Sequence, residues 1–151
     1  VSYNFFSVKL AKSGFDDGYF ILGFFCLREA LERNRQSCKS EFEKHVRSTS
    51  LKHSAITSEE LMSYDVMAAA KWAFVRGPEM YRLENTPFGK SWEMSSAVQT
   101  DFWDGEPGLS RKRWLLWQDR FNHIADQACV RKEVRTLSKE ASAAIGRFTL
   151  E

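Results

Sequence analysis

From Trp114 to Ala128 the apolar residues that would form a face are Trp114, Trp117, Phe121, Ile124 and Ala128, each three or four positions after the last. That spacing is the period of a helix face and does not fit the alternation by two of a strand. The same rule governs Val130, Val134, Leu137, Ala141, Ala144 and Phe148, and earlier Phe20, Phe24, Leu27 and Leu31. There is no convincing strand alternation, internal repeat or long low-complexity tract. The expected fold is therefore all-α: a single domain over 1–151, built as an irregular or orthogonal bundle of about five to seven helices. A short link between the last two stripes predicts a C-terminal antiparallel helix hairpin.

Local signals divide the rest of the chain. Ser2 to Ser13, with Phe6 and Leu10 four apart, predicts a first helix closed by Gly14. Asp16 or Asp17 can cap a second, whose start is apolar on every face (Ile21, Leu22, Phe25, Cys26) and belongs inside, whereas Arg28, Glu29, Glu32 and Arg33 bring its later turns to the surface. Asn34 to Ala55 is polar and reads as an exposed connection, with Ser40 to Val46 able to form a short helix. Thr57 and Glu60 make a capping box and Ile56 a staple to Leu61, opening a central helix over Met62 to Val75 whose Ala68, Ala69 and Ala70 allow close approach. Gly77-Pro78 is expected to kink or end it, with Pro78 suited to start a continuation through Tyr81, Leu83 and Glu84. Asn85 to Leu109 is long for an unstructured connection and would be anchored by Trp92, Met94, Val98, Phe102 and Trp103. Ser110 then caps the next helix and Leu109 staples to Trp114.

Composition excludes some classes. At 151 residues, 43% hydrophobic and 28% charged with three prolines, the chain has an ordinary globular profile and can bury about two-thirds of its unfolded surface. Cys26, Cys38 and Cys129 are odd in number and show no CxxC spacing, which predicts reduced thiols in an intracellular, cytoplasmic setting. The longest apolar run, Tyr19 to Leu27, falls well short of the roughly 20 residues of a membrane span. Neither a basic leader nor a small-residue cleavage site accompanies it, so no secretory signal is expected.

Charge singles out one segment. Residues 54–110 carry nine acids and four bases, and residues 111–140 eight bases and four acids, although the net charge is only +2. Arg111, Lys112 and Arg113 occupy a helix's first turn, where cations are disfavoured. Pairing with Asp101, Asp104 and Glu106 just upstream is the simple compensation, and an anionic ligand the sharper one. A nucleic-acid partner is disfavoured because no broad basic face or known module is visible. Trp114, Trp117 and Phe121 are expected in the core. The rival reading makes them one wall of an apolar pocket covered by Trp92, Phe102 and Trp103 and oriented by Arg120 or Asp104. The candidate ligand-binding set is thus Trp92, Phe102, Trp103, Asp104, Arg111, Arg113, Trp114, Trp117 and Arg120.

Catalytic signals are sparse. Lys71 sits alone among apolar residues, a context that more often lets the stem lie on the surface than it makes a base. His45, His53 and His123 lack metal-ligand spacing, so no metal site is proposed. Neither a GxSxG elbow, an HExxH, a P-loop nor a dinucleotide fingerprint occurs, and no cofactor is expected.

Asn4 to Leu10 followed by Ile21 to Glu32, Ala68 to Phe74, and Trp103 to Trp117 with Arg120 and Phe121 together resemble a family of filamentous-fungal proteins of unknown function. The likeness implies a compact helical domain in a fungal cytoplasm and supplies no activity or site residues. Two functions follow as expectations. One is a small intracellular binding or interaction protein, its partner an apolar small molecule, another protein or a second copy. The other is a cofactor-independent isomerase, cyclase or lyase acting on an apolar substrate in an aromatic-lined pocket.

Overall fold

A computed structural model of the chain describes residues 18–34, 58–83, 94 and 96–150. Four α-helices lie within them: α1 (Gly18–Leu31), α2 (Ser58–Arg82), α3 (Arg111–Asp126) and α4 (Lys132–Thr149). No strand occurs among the described residues, so the all-α expectation holds. The helix expected over Ser2 to Ser13, the short one over Ser40 to Val46, the Ile56-Thr57 cap and Trp92 all lie outside the described residues.

The helices close a ring in which α1 packs on α2, α2 on α4, α4 on α3, and α3 on α1. The core fills that ring. On α1 the predicted stripe of Phe20, Phe24, Leu27 and Leu31 is buried. Gly23 lies against the Trp72 ring, where an added Cβ would come within 2.6 Å of a ring carbon, so its missing side chain sets the approach of α1 to α2. On α2, Ala69, Ala70 and Ala73 are buried beside Trp72, as small residues at a close helix crossing should be.

Pro78 does not end α2, which continues to Arg82. The carbonyl that loses its partner to proline is that of Phe74, four residues back, on a residue that is half exposed. Gly77 has a packing function instead, since the Phe148 ring of α4 occupies the space its side chain would fill.

Ser110 caps α3 as expected: its Oγ accepts from the Arg113 backbone N–H at 3.3 Å. Trp114, Trp117, Phe121 and Ile124 are buried along one face. The helix stops at Asp126, however, and Ala128 is exposed in the following turn rather than continuing the stripe. On α4, Val134, Ala141, Ala144, Ile145 and Phe148 are buried. Contacts between the two helices reverse in order. Arg111 reaches the Thr149 carbonyl, Trp114 meets Phe148 edge-on at 5.2 Å, and Gln118 donates to the Ser142 carbonyl at 3.3 Å.

Candidate functional site

The richest polar chemistry gathers where α1 ends under the loop 96–110. Glu32, one residue past α1, is fully buried. It was expected on the surface with Arg28, Glu29 and Arg33, and the structure corrects this. Arg113 of α3, also fully buried, grips it with a two-pronged ion pair: Nε donates to Oε1 at 2.6 Å and Nη2 to Oε2 at 2.8 Å. The Trp117 indole N–H donates to Oε1 at 2.8 Å, and the Thr100 hydroxyl to Oε2 at 3.1 Å. The second terminal nitrogen of Arg113 donates to the Ser96 and Gly108 carbonyls, both at 3.1 Å. Such charge-assisted pairing is what allows two ions to be desolvated together.

Aromatic rings wall the guanidinium. Its central carbon lies 4.6 Å from the Phe24 ring centroid and 5.1 Å from that of Trp103. Trp103 is itself fixed by the loop, its amide donating to the Thr100 hydroxyl at 3.2 Å and its indole N–H to the Glu106 carbonyl at 3.3 Å. Gly108 has a φ of 91°, a backbone shape glycine adopts cheaply, and this turn presents its carbonyl to Arg113. The same loop finishes α1. Phe102 N–H donates to the Glu32 carbonyl, Asn34 N–H to Asp101, and Arg120 to the Leu31 carbonyl while stacking 4.0 Å from the Phe102 centroid.

The cationic first turn of α3 is therefore compensated differently from expectation. Asp101, Asp104 and Glu106 make no ion pair among the described residues. Arg113 turns inward to Glu32, and Arg111 donates through Nε and Nη2 to the Thr149 carbonyl at the end of α4, a favourable place for a cation.

Of the candidate residues, the structure brings Trp103, Arg113 and Trp117 together around Glu32. Phe102 and Arg120 pair beside them. Trp114 sits in the core against Trp117, Tyr81 and Phe148, and Asp104 is exposed. Sequence reasoning missed Glu32, which lies 81 residues from its partner. A signal for Arg113 was present: it stands four before Trp117 and eight before Phe121, on the apolar stripe.

Clefts open at the surface among the described residues. One of about 440 Å³ is lined by Trp103, Gly105, Glu106, Ser110, Arg111, Lys112 and Leu115. A polar one of about 300 Å³ lies among Arg28, Arg33, Gln99, Thr100 and Asp101. Another, about 410 Å³, lies among Phe25, Cys26, Glu29, Asp65 and Ala68. Burial, then the charge of Asp65, pushes the Cys26 thiol up to about 11, which keeps it protonated and poorly nucleophilic near neutrality. Burial, then Glu29, also raises Asp65 above the ordinary aspartate value. No group of histidine, cysteine and acidic side chains suited to a metal ion occurs among the described residues. Nor is any described helix long and apolar enough to cross a membrane.

Fold and site together define an all-helical protein with a buried aromatic cluster organised around an internal ion pair. The chain belongs to the DUF3632 family, proteins of unknown function, whose match spans residues 1–121. Neither the curated proteins nor the solved structures yield a match to it.

Proposed function

We propose that this chain is a small helical interaction protein whose partner is another protein, seated in the cleft of Trp103, Arg111, Lys112 and Leu115. The observation that carries the reading is how the aromatic residues are divided. Trp114 and Trp117, which would wall a small-molecule pocket, are fully buried in the core, whereas Trp103, 9% exposed, shows only an edge to an open cleft beside Leu115, which is 42% exposed. Leu150, 84% exposed, directly follows the residue that receives Arg111 and adds apolar surface at the same end of the ring. An exposed apolar patch rimmed by charge is the usual mark of a protein partner.

The same reading takes the chain as one domain over 1–151 with a C-terminal antiparallel hairpin of α3 and α4, supported by the reversed contact order of the two helices. Further helices bring the total to five to seven in our reading. A cytoplasmic setting suits the reduced thiols.

Native mass spectrometry of the protein taken directly from its producing organism tests the function. A copurifying partner lost on Leu115→Glu, with the melting temperature unchanged, supports it. A bound apolar small molecule retained in that variant would favour the alternative, a cofactor-independent isomerase, cyclase or lyase.

A further inference from the structure

Lys112 is the one residue of the α3 first turn for which the fold supplies no reason. Arg113 is neutralised by Glu32, and Arg111 is engaged by the Thr149 carbonyl. Lys112 is exposed and has neither an ion-pair nor a hydrogen-bond partner among the described residues. It stands at the positive end of the helix, where a cation is disfavoured and an acidic side chain would be favoured. Stability alone would place a glutamate there. The cleft beside it sets the edge of the largely buried Trp103 ring opposite the exposed Leu115, and two of its lining residues are cationic against the single acid Glu106.

We infer that the partner element is an acidic peptide segment, seating an apolar side chain between Trp103 and Leu115 and setting a carboxylate against Lys112. This rests on the cleft being the interaction site proposed above. A carboxylate arriving there gains both from the ammonium and from the helix end, so the position that is unfavourable in the free chain becomes favourable in the complex. The adjoining apolar contact supplies burial that charge alone does not.

The test is a selection of random peptides displayed against the immobilised full chain, with selected sequences resynthesised carrying a fluorophore and titrated by anisotropy. The expected sequences place aspartate or glutamate beside leucine, isoleucine or phenylalanine. Lys112→Glu is expected to weaken them roughly tenfold, and raising the salt concentration to weaken the unmodified protein's binding as well. Leu115→Glu is expected to weaken them further. The melting temperature of Lys112→Glu should stay level or rise, which separates lost binding from lost folding. Selected peptides with no acidic bias that still depend on Leu115 overturn the acidic partner and leave the cleft standing. Peptides indifferent to both substitutions, or no enrichment at all, overturn the cleft as well.

Discussion

Arg113 and Glu32 show how different removing a partner is from replacing a pair. With both fully buried, Arg113→Ala strands a carboxylate away from water, and the loss expected is about 3–5 kcal/mol. Replacing both at once, by Arg113→Met with Glu32→Leu, should cost less because no ion is stranded, the remaining loss being that of the partners of Trp117, Thr100, Ser96 and Gly108. Urea unfolding of the two variants decides it; equal losses for the single and the double change would mean that packing, not charge, dominates. Asp65 is the opposite kind of acid. Its raised value means that the folded chain binds the proton more tightly than the unfolded one. This carboxyl therefore favours folding when protonated, and that contribution disappears as pH rises from the ordinary aspartate value through the raised one. Asp65→Asn should accordingly melt higher than the unmodified protein near neutrality, with the gap closing in acid. A gap that widens in acid would reverse the assignment.

At the scale of elements, the helix faces were legible and their exceptions were not. The stripes of α1, α3 and α4 follow from residue spacing because burial of one face is a local, periodic requirement. So does the Ser110 cap. Ala128 misled because alanine at the right interval carries little hydrophobic weight, and α3 ends before reaching it. Gly77-Pro78 left two outcomes open, a kink or an end, and the helix running on to Arg82 removes only the second. Trp103 reads in the sequence as a cover over Trp114, Trp117 and Phe121, and its support by Thr100 and Glu106 has no sequence signal. Glu32 reads as surface charge until a guanidinium 81 residues away is brought to it. Glycines carry a related hidden constraint. Gly23→Ala would drive a methyl into the Trp72 ring, and the overpacking should cost about 1–3 kcal/mol, measurable as a fall in melting temperature. An unchanged melting temperature would show that α1 and Trp72 yield more easily than their contact suggests.

Across the whole molecule, the Glu32 centre ties together three parts of the chain that are distant in sequence: the end of α1, the loop 96–110 and the buried face of α3. The backbone amides of Asn34, Thr100, Phe102 and Trp103 are all hydrogen-bonded within that assembly. They are expected to open together. In Arg113→Ala, hydrogen exchange should accelerate at all four, while amides of α2 facing Phe148 keep most of their protection. Acceleration confined to the loop would mean that α1 is held by its apolar stripe alone.

The ring order of the helices also has a consequence in time. Contacts between α3 and α4 span a short stretch of chain, whereas those joining α1 to α3 close a loop of 81 residues between Glu32 and Arg113 and carry a larger entropic cost. The α3–α4 pair is expected to assemble early and the ion pair to be desolvated only after the transition state, an order the kinetics of Arg113→Ala would test. Interactions made that late govern escape from the native state more than arrival at it. Stopped-flow mixing of Arg113→Ala should show unfolding greatly hastened and refolding nearly unchanged, making this buried pair a determinant of how long the folded molecule lasts.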